Sequence, residues 1–498
     1  MNTLYITRMA FCGLLLASAG SGAAQQIPKT WDDAAVGALE LPLADRAYSP
    51  VHVTSADYYR LPIRPIYKSY PIYAPGKEPT GYIEWLKQRE PVIVFDPAEL
   101  RTETDWIRAG ELVFDAPIRY RALSNSSLDN PELWKNGLAA PDGTTPFYCY
   151  VIRKKGTVEI GDASCAQCHT RIMLDGTVLK GAQSSFPGPH ITAAGIRRRA
   201  ETDNDGGFAQ LALNRNAQRV NYGAPWIHPD PAEEYVNSFE DLVASWQAIP
   251  AGVLPREGAS RRYAPQVPDL IGVKGRRYLD HTGLVRHRSI GDLMRYAALN
   301  QDAQFLARYG DFRPADFIQP GAQVAHARYS DEQLYALALY IYSLEPPQNP
   351  NKFDAVAARG QKLFEREGCA RCHTPPLYTN NRLTLAGGFK ATGEDRTKYD
   401  ILPISVGTDP NLALRTRRGT GYYKVPSLKG VWYRGPFEHN GSVATLEDWF
   451  DPRRLRDDYV PTGYKPHGVK TRPVKGHEFG LYLSPEDKRA LISFLKTL

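Results

Sequence analysis

"ASCAQCHT" at residues 163–170 and "EREGCARCHTPP" at residues 365–376 share one pattern: two cysteines separated by two residues, with a histidine directly after the second. The pattern has three chemical readings. Cysteines of exported chains mostly form disulfides, and two such pairs could assemble a four-thiolate zinc site. Neither explains a histidine after both pairs. Attachment of haem c does. Each cysteine adds to one vinyl group, and the adjacent histidine reaches the iron as a neutral imidazole ligand. The motifs assign Cys165, Cys168 and His169 to one haem and Cys369, Cys372 and His373 to a second, with His169 and His373 as proximal ligands. Cys149, in "TPFYCYVIRKK", reads as a small buried residue of a strand.

Three further pairs of stretches repeat in order around the two motifs. "IRAGELVFDAP" (107–117) precedes the first motif and "AARGQKLFERE" (357–367) the second. Both read as a short helix, with Gly110, Leu112 and Phe114 set against Gly360, Leu363 and Phe364 after a one-residue slip at leucine. "VPDLIGVKGRRYLDHTG" (267–283) aligns without gaps to "VPSLKGVWYRGPFEHNG" (425–441), placing His281 on His439. "YSDEQLYALALYIYSL" (329–344) parallels "LSPEDKRALISFLKTL" (483–498). Each of these opens on a serine N-cap and continues with apolar residues at helical spacing, and Gln333 completes a capping box with Ser330. The expected organisation is two related haem domains, 101–348 and 349–498, joined by the proline-broken "EPPQNPNK" (345–352). The expected fold is mainly α, with short β-hairpins and much loop.

The rest of the chain sets the context. A chain of 498 residues exceeds one small domain, since roughly 150 residues per domain suggests about three. Residues 1–24 have one early arginine, an apolar run from Met9 to Ala17 and then small residues, the layout of a secretory signal peptide. That run is shorter than the roughly 20 residues needed to span a bilayer. A periplasmic or secreted protein without a membrane span is expected. Residues 25–100, rich in Tyr and Pro, read as a covering extension with little regular structure. The net charge of +7 is mild and dispersed, which speaks against a nucleic-acid partner.

The order Gly-x-x-Leu-Phe, CxxCH, "VPSLKGV…FEHNGSVATLEDW" and "LSPEDKRALISFLKTL" resembles the bacterial di-haem cytochrome c peroxidase superfamily. That superfamily includes the di-haem enzyme that matures methylamine dehydrogenase and the rubber oxygenases. The resemblance covers residues 100–498 and is best in the second haem domain. It implies two cytochrome-c-like domains carrying two covalent haems c, often with a calcium ion between them. It also implies an N-terminal haem that meets H2O2 or O2, and a C-terminal haem that relays electrons from a donor protein such as a small cytochrome or cupredoxin. The chain departs from the peroxidases at the second iron, where they place a methionine. Its four methionines are Met1, Met9, Met173 and Met294, none in the second domain. His477, in "VKGHEFGLYLS", is the sixth ligand expected instead. Ligation by two histidines gives a lower potential than His/Met.

The other histidines divide by position. His439 and His281 sit in matching loops, as cofactor-binding groups that hold a propionate or a carbonyl; His439 also competes with His477 for the iron. His326, His281 and His287 are the candidate distal groups at the first haem. Trp226 reads as core packing or as an aromatic relay between haems. "ETDNDGG" (201–207) offers oxygens of the kind calcium takes, or a plain turn. "RRR" (197–199) and "RTRRG" (415–419) are candidate partners for propionates. The expected activity is that of a peroxidase-like oxidoreductase. A rubber-oxygenase-like dioxygenase acting on an alkene and a non-catalytic electron carrier are the alternatives.

Overall fold

The computed structural model describes residues 26–498, apart from 126–127, 129–133, 135–136, 204, 228–234, 257, 302 and 318–326. The signal-peptide reading of 1–24 and the candidate His326 lie outside the described residues. The architecture mixes helices and sheets with many loops, and its main sheet is larger than the short hairpins expected. Strands β1 (Ser69–Tyr73), β2 (Arg119–Ala122), β3 (Thr144–Lys154) and β4 (Thr157–Asp162) form an antiparallel sheet in the order β1–β3–β4–β2. β3 and β4 alternate β-branched and aromatic residues around a short turn at Gly156, whose φ of +83° only glycine adopts readily. Cys149 is in register with Pro71 on one side and Gly161 on the other, and burial pushes its thiol up to about 12. That fits the inert, buried role read for it.

β1 comes from the stretch expected to be irregular. Residues 26–100 also form short helices at Asp33–Gly37, Ser55–Arg60 and Tyr82–Lys87. Trp31 is buried and stacked on Tyr58 with ring centroids 4.4 Å apart. Leu39 and Leu43 join the core around helices 103–115 and 331–343. This segment therefore supplies core rather than only covering it.

Two helix pairs frame the CxxCH motifs. Helix α1 (Glu103–Asp115) packs on α2 (Asp331–Ser343), and α3 (Ala355–Arg366) on α4 (Pro485–Lys496). α1 buries Trp106, Ala109, Gly110, Val113 and Phe114, one helical face. Glycine is required at the crossing of each pair. A Cβ at Gly110 would lie 2.0 Å from the backbone oxygen of Ala336, and a Cβ at Gly360 1.9 Å from that of Ala490. The N-caps follow the sequence reading. Ser330 and Gln333 form a reciprocal capping box, and the Ser484 hydroxyl accepts from Asp487 N. Residues 344–354, between α2 and α3, form no helix or strand, as the prolines dictate.

Candidate haem-attachment sites

Each CxxCH motif is a single closed turn. After β4 the chain passes through Ala163 at φ +64°, and Ser164 caps the turn Cys165–Cys168. In the second motif Gly368, at φ +79°, ends the approach from α3 and opens the turn Cys369–Arg371. The histidine N–H then donates to the first cysteine's carbonyl at 2.9 Å in both, His169 to Cys165 and His373 to Cys369. Both cysteines and the histidine are thereby gathered on one turn.

The two histidine rings are oriented by aligned residues. His169 Nδ1 donates to Pro268 O at 3.0 Å. His373 Nδ1 lies 3.2 Å from Pro426 O and 3.2 Å from Tyr378 O. Pro268 and Pro426 occupy the same position of the repeated loop. With Nδ1 engaged, Nε2 is the nitrogen left for a metal, the arrangement that fixes a ligating tautomer. Burial holds both imidazoles neutral, down to about 4, with Arg256 near His169 and His477 near His373 adding to the effect.

A cavity of about 1540 Å3, counted to its open mouth, adjoins the second motif and is lined by Cys369, Cys372, His373, His439, Trp449 and His477. His477 stands across it from His373, with ring centroids 6.1 Å apart. Two metal–imidazole bonds of about 2 Å each, plus about 1 Å from each nitrogen to its ring centre, require about 6 Å. The Nδ1 of His477 is buried without a hydrogen-bond partner. These residues fit a haem c held by two histidines. His439 differs: its Nδ1 is 2.5 Å from Glu438 and its Nε2 3.3 Å from the Tyr423 hydroxyl.

The loop carrying His477 is held by a residue the sequence reading missed. Arg454 is buried; its Nε donates to Trp449 O at 2.9 Å and its Nη2 to His477 O at 3.0 Å. Its guanidinium thus ties the His477 backbone, at φ +49°, to the wall of the cavity. One of the three arginines in "PRRLRDD" carries no sign of burial in sequence.

The repeated acid–histidine pair is also strained in both copies. Asp280 and Glu438 have φ of +67° and +71°, and each carboxylate accepts the N–H of the following histidine at 2.7 Å. Non-glycine residues adopt this conformation at a cost, which surrounding contacts must offset. For Asp280 those contacts are Arg418 at 2.6 Å and Arg256 at 3.4 Å. Burial alone would raise Asp280; Arg418 and then Arg256 outweigh it and hold the carboxyl well below the usual range. Its stabilising effect is therefore complete above the ordinary Asp value of about 3.9 and is lost as pH falls below it. Asp280→Asn is expected to cost about 3–5 kcal/mol, since it leaves the buried charge of Arg418 without its carboxylate. Urea unfolding at pH 7 and pH 3 checks this: the gap between wild type and variant narrows at the lower pH.

The remaining candidates are placed as follows. His281 Nε2 donates to Gln266 O at 2.7 Å, beside the loop that holds His169. Both His287 nitrogens are engaged, Nδ1 with Arg276 O and Nε2 with the Tyr342 hydroxyl, each at 2.6 Å. His287 therefore has no nitrogen to offer a distal ligand, because the 278–286 hairpin folds it against α2. Trp226, partly buried, stacks between Tyr48 and Tyr309 against the core. Asp205 accepts from Gly207 N and Ala209 N with its two oxygens, at the start of the helix Phe208–Ala217. Arg418 pairs with Asp280 and Arg417 reaches Val220 O, while Arg197, Arg198 and Arg199 are exposed. No disulfide joins the five described cysteines, and no group of three or more His, Cys, Asp or Glu gathers as a closed metal site among the described residues. The two CxxC pairs thus form neither a disulfide framework nor a joint zinc site there. No helix among the described residues is long and apolar enough to cross a membrane.

Comparison with known proteins places these features. The family described as RoxA-like, cytochrome c-like matches residues 421–460, the span that holds Tyr423, Lys424, Arg434, Glu438, His439 and Trp449 of the cavity wall. Over that span the chain is similar to cytochrome-c-like proteins. The methylamine utilization protein MauG of Methylorubrum extorquens is 32% identical over 146 residues, 29% of this chain and 35% of that protein. The cytochrome-c peroxidase IdrP1 of Denitromonas iodatirespirans is 32% identical over 114 residues, 19% of this chain and 30% of that one. The resemblance to the bacterial di-haem cytochrome c peroxidase superfamily is thus carried by these relatives. The chain spans about a third of the length of the curated relatives it matches. A hydrazine synthase of Kuenenia stuttgartiensis overlaps 58% of this chain and 87% of its own at 15% identity, with a TM-score of 0.29, a weak likeness.

Proposed function

We propose that this protein is an exported di-haem c-type oxidoreductase that activates H2O2 or O2 at the haem of Cys165, Cys168 and His169. The haem of Cys369, Cys372, His373 and His477 relays electrons to it from a donor protein. Two cytochrome-c-like domains, 101–348 and 349–498, carry the two haems behind an N-terminal extension. The observation that carries the reading is the pair of CxxCH turns whose histidines are aimed by carbonyls of the aligned Pro268 and Pro426. The second observation is His477, set across the cavity from His373.

When bound, haem supplies an iron that coordinates an oxidant or exchanges an electron. The chain does the rest. Pro268 and Pro426 hold the proximal imidazoles in one tautomer. Arg454 holds the His477 backbone, so that the second site keeps its pair of ligands. Arg256, half-buried and paired with Asp280, stands near the proximal imidazole of His169.

Steady-state turnover of the holoprotein with H2O2 and a reduced mono-haem cytochrome tests the reading. Donor oxidation that depends on H2O2 supports it. Oxygen uptake with an alkene and no donor would instead identify a dioxygenase. Absence of turnover with either oxidant would leave an electron carrier.

A further inference from the structure

A second, smaller cleft of about 530 Å3, counted to its open mouth, lies between the two proline loops that aim His169 and His373. Pro268 lines it from one side and Pro426 from the other. Three basic side chains face it, Arg276, Lys424 and Arg434, against one acid, Asp269. Asp269 is fully engaged: its carboxylate accepts Ile271 N at 2.9 Å and the Tyr433 hydroxyl at 2.9 Å. Arg276 is held to its own loop by Asp269 O, and Arg434 to the matching loop by Ser427 O at 2.8 Å. These are aligned arginines making aligned contacts. Lys424 makes no ion pair or hydrogen bond with its side chain among the described residues, and Arg434 Nε is buried without a partner.

Burying cations without anions is costly, and the cost is removed by a counter-charge or by loss of the proton. Lys424 and Arg434 also line the large cavity of Cys369, Cys372 and His373. The two cavities therefore share their positively charged wall. Resting on the haem-attachment reading above, we infer that Lys424 and Arg434 form a carboxylate-binding subsite. Its occupants are the propionates of the haem attached at Cys369 and Cys372. The arginines picked out in the sequence for this role, at 197–199 and 415–419, do not line this wall. Burial and the nearby Arg276 hold the Lys424 amine down to about 7, so a carboxylate beside it would restore its charge.

A cation beside a haem favours the reduced iron by Coulomb attraction. Spectroelectrochemical titration of the low-spin haem in the holoprotein tests the inference. Lys424→Met is expected to move that haem to a lower potential, by more than Lys390→Met, which removes one charge from the exposed surface. Lys424→Arg keeps the wild-type value. If Lys424→Met yields no folded protein, Arg434→Gln serves, with the same direction expected. Equal shifts for Lys424→Met and Lys390→Met would overturn the subsite. A wild-type potential that follows added acetate would overturn the propionate source and assign the subsite to a free carboxylate. Haem content, measured on the same samples, separates the two claims. Fewer than two haems per wild-type chain would defeat the attachment reading itself, whereas two haems with an unmoved potential would defeat only the subsite.

Discussion

Replacing Cys369 and Cys372 together by alanine is expected to remove one covalent haem per chain and leave the other in place. Each thioether is an independent covalent link, so only the double change abolishes attachment. The turn itself is closed by backbone, with His373 N donating to Cys369 O, and alanine preserves it. His373 and His477 remain 6.1 Å apart, but a non-covalent haem there is lost on denaturation. The cavity they face has an apolar wall from Phe364, Val431 and Leu446, which then lacks its occupant and destabilises the C-terminal helix pair. Haem-stained denaturing gels and intact mass read the result. One haem fewer than wild type is the expected outcome, and the same change at Cys165 and Cys168 gives the mirror result. Unchanged covalent haem in either double variant contradicts the assignment.

Gly360→Val is expected to cost about 3 kcal/mol or more, the upper end of overpacking effects. The new Cβ would meet the backbone oxygen and carbon of Ala490, at 1.9 and 2.6 Å. These are helix atoms, and no rotamer change relieves the clash. α3 and α4 must separate, which loosens Phe364 against Phe494, now 5.3 Å ring to ring. Gly110→Val acts alike on α1 and α2. Gly393 is the control: nothing lies within 4 Å of its Cβ direction, so Gly393→Ala leaves stability unchanged or slightly raised. Urea unfolding of the holoproteins, compared by midpoint, checks the contrast. Equal midpoints for Gly360→Val and wild type would contradict the packing described.

Much of the site could be read from sequence because its determinants are local. The CxxCH turns close over five residues, Ser330 and Gln333 are three apart, and Gly110 and Gly360 each stand fourth in their repeated stretch. Alignment of 267–283 with 425–441 also put Pro268 on Pro426 and Asp280 on Glu438, and the structure gives each pair matching contacts. What was not legible is non-local. β1 pairs with β3 across a long span of sequence, so a Tyr- and Pro-rich stretch that reads as a loop becomes a sheet edge. Asp280 meets Arg418 far along the chain. Lys424, Arg434 and Arg454 look like any surface base in a chain with 61 Lys and Arg; only tertiary packing puts them against a cavity.

Electron paramagnetic resonance of the holoprotein, fully oxidised and then half-reduced, with and without H2O2, tests the central claim most directly. The account predicts a low-spin ferric signal from the site of His373 and His477. It also predicts a high-spin ferric signal, in one of the two states, that H2O2 perturbs. Two low-spin signals in both states, indifferent to H2O2, would mean that both irons are capped, and would contradict an oxidant-activating site at His169.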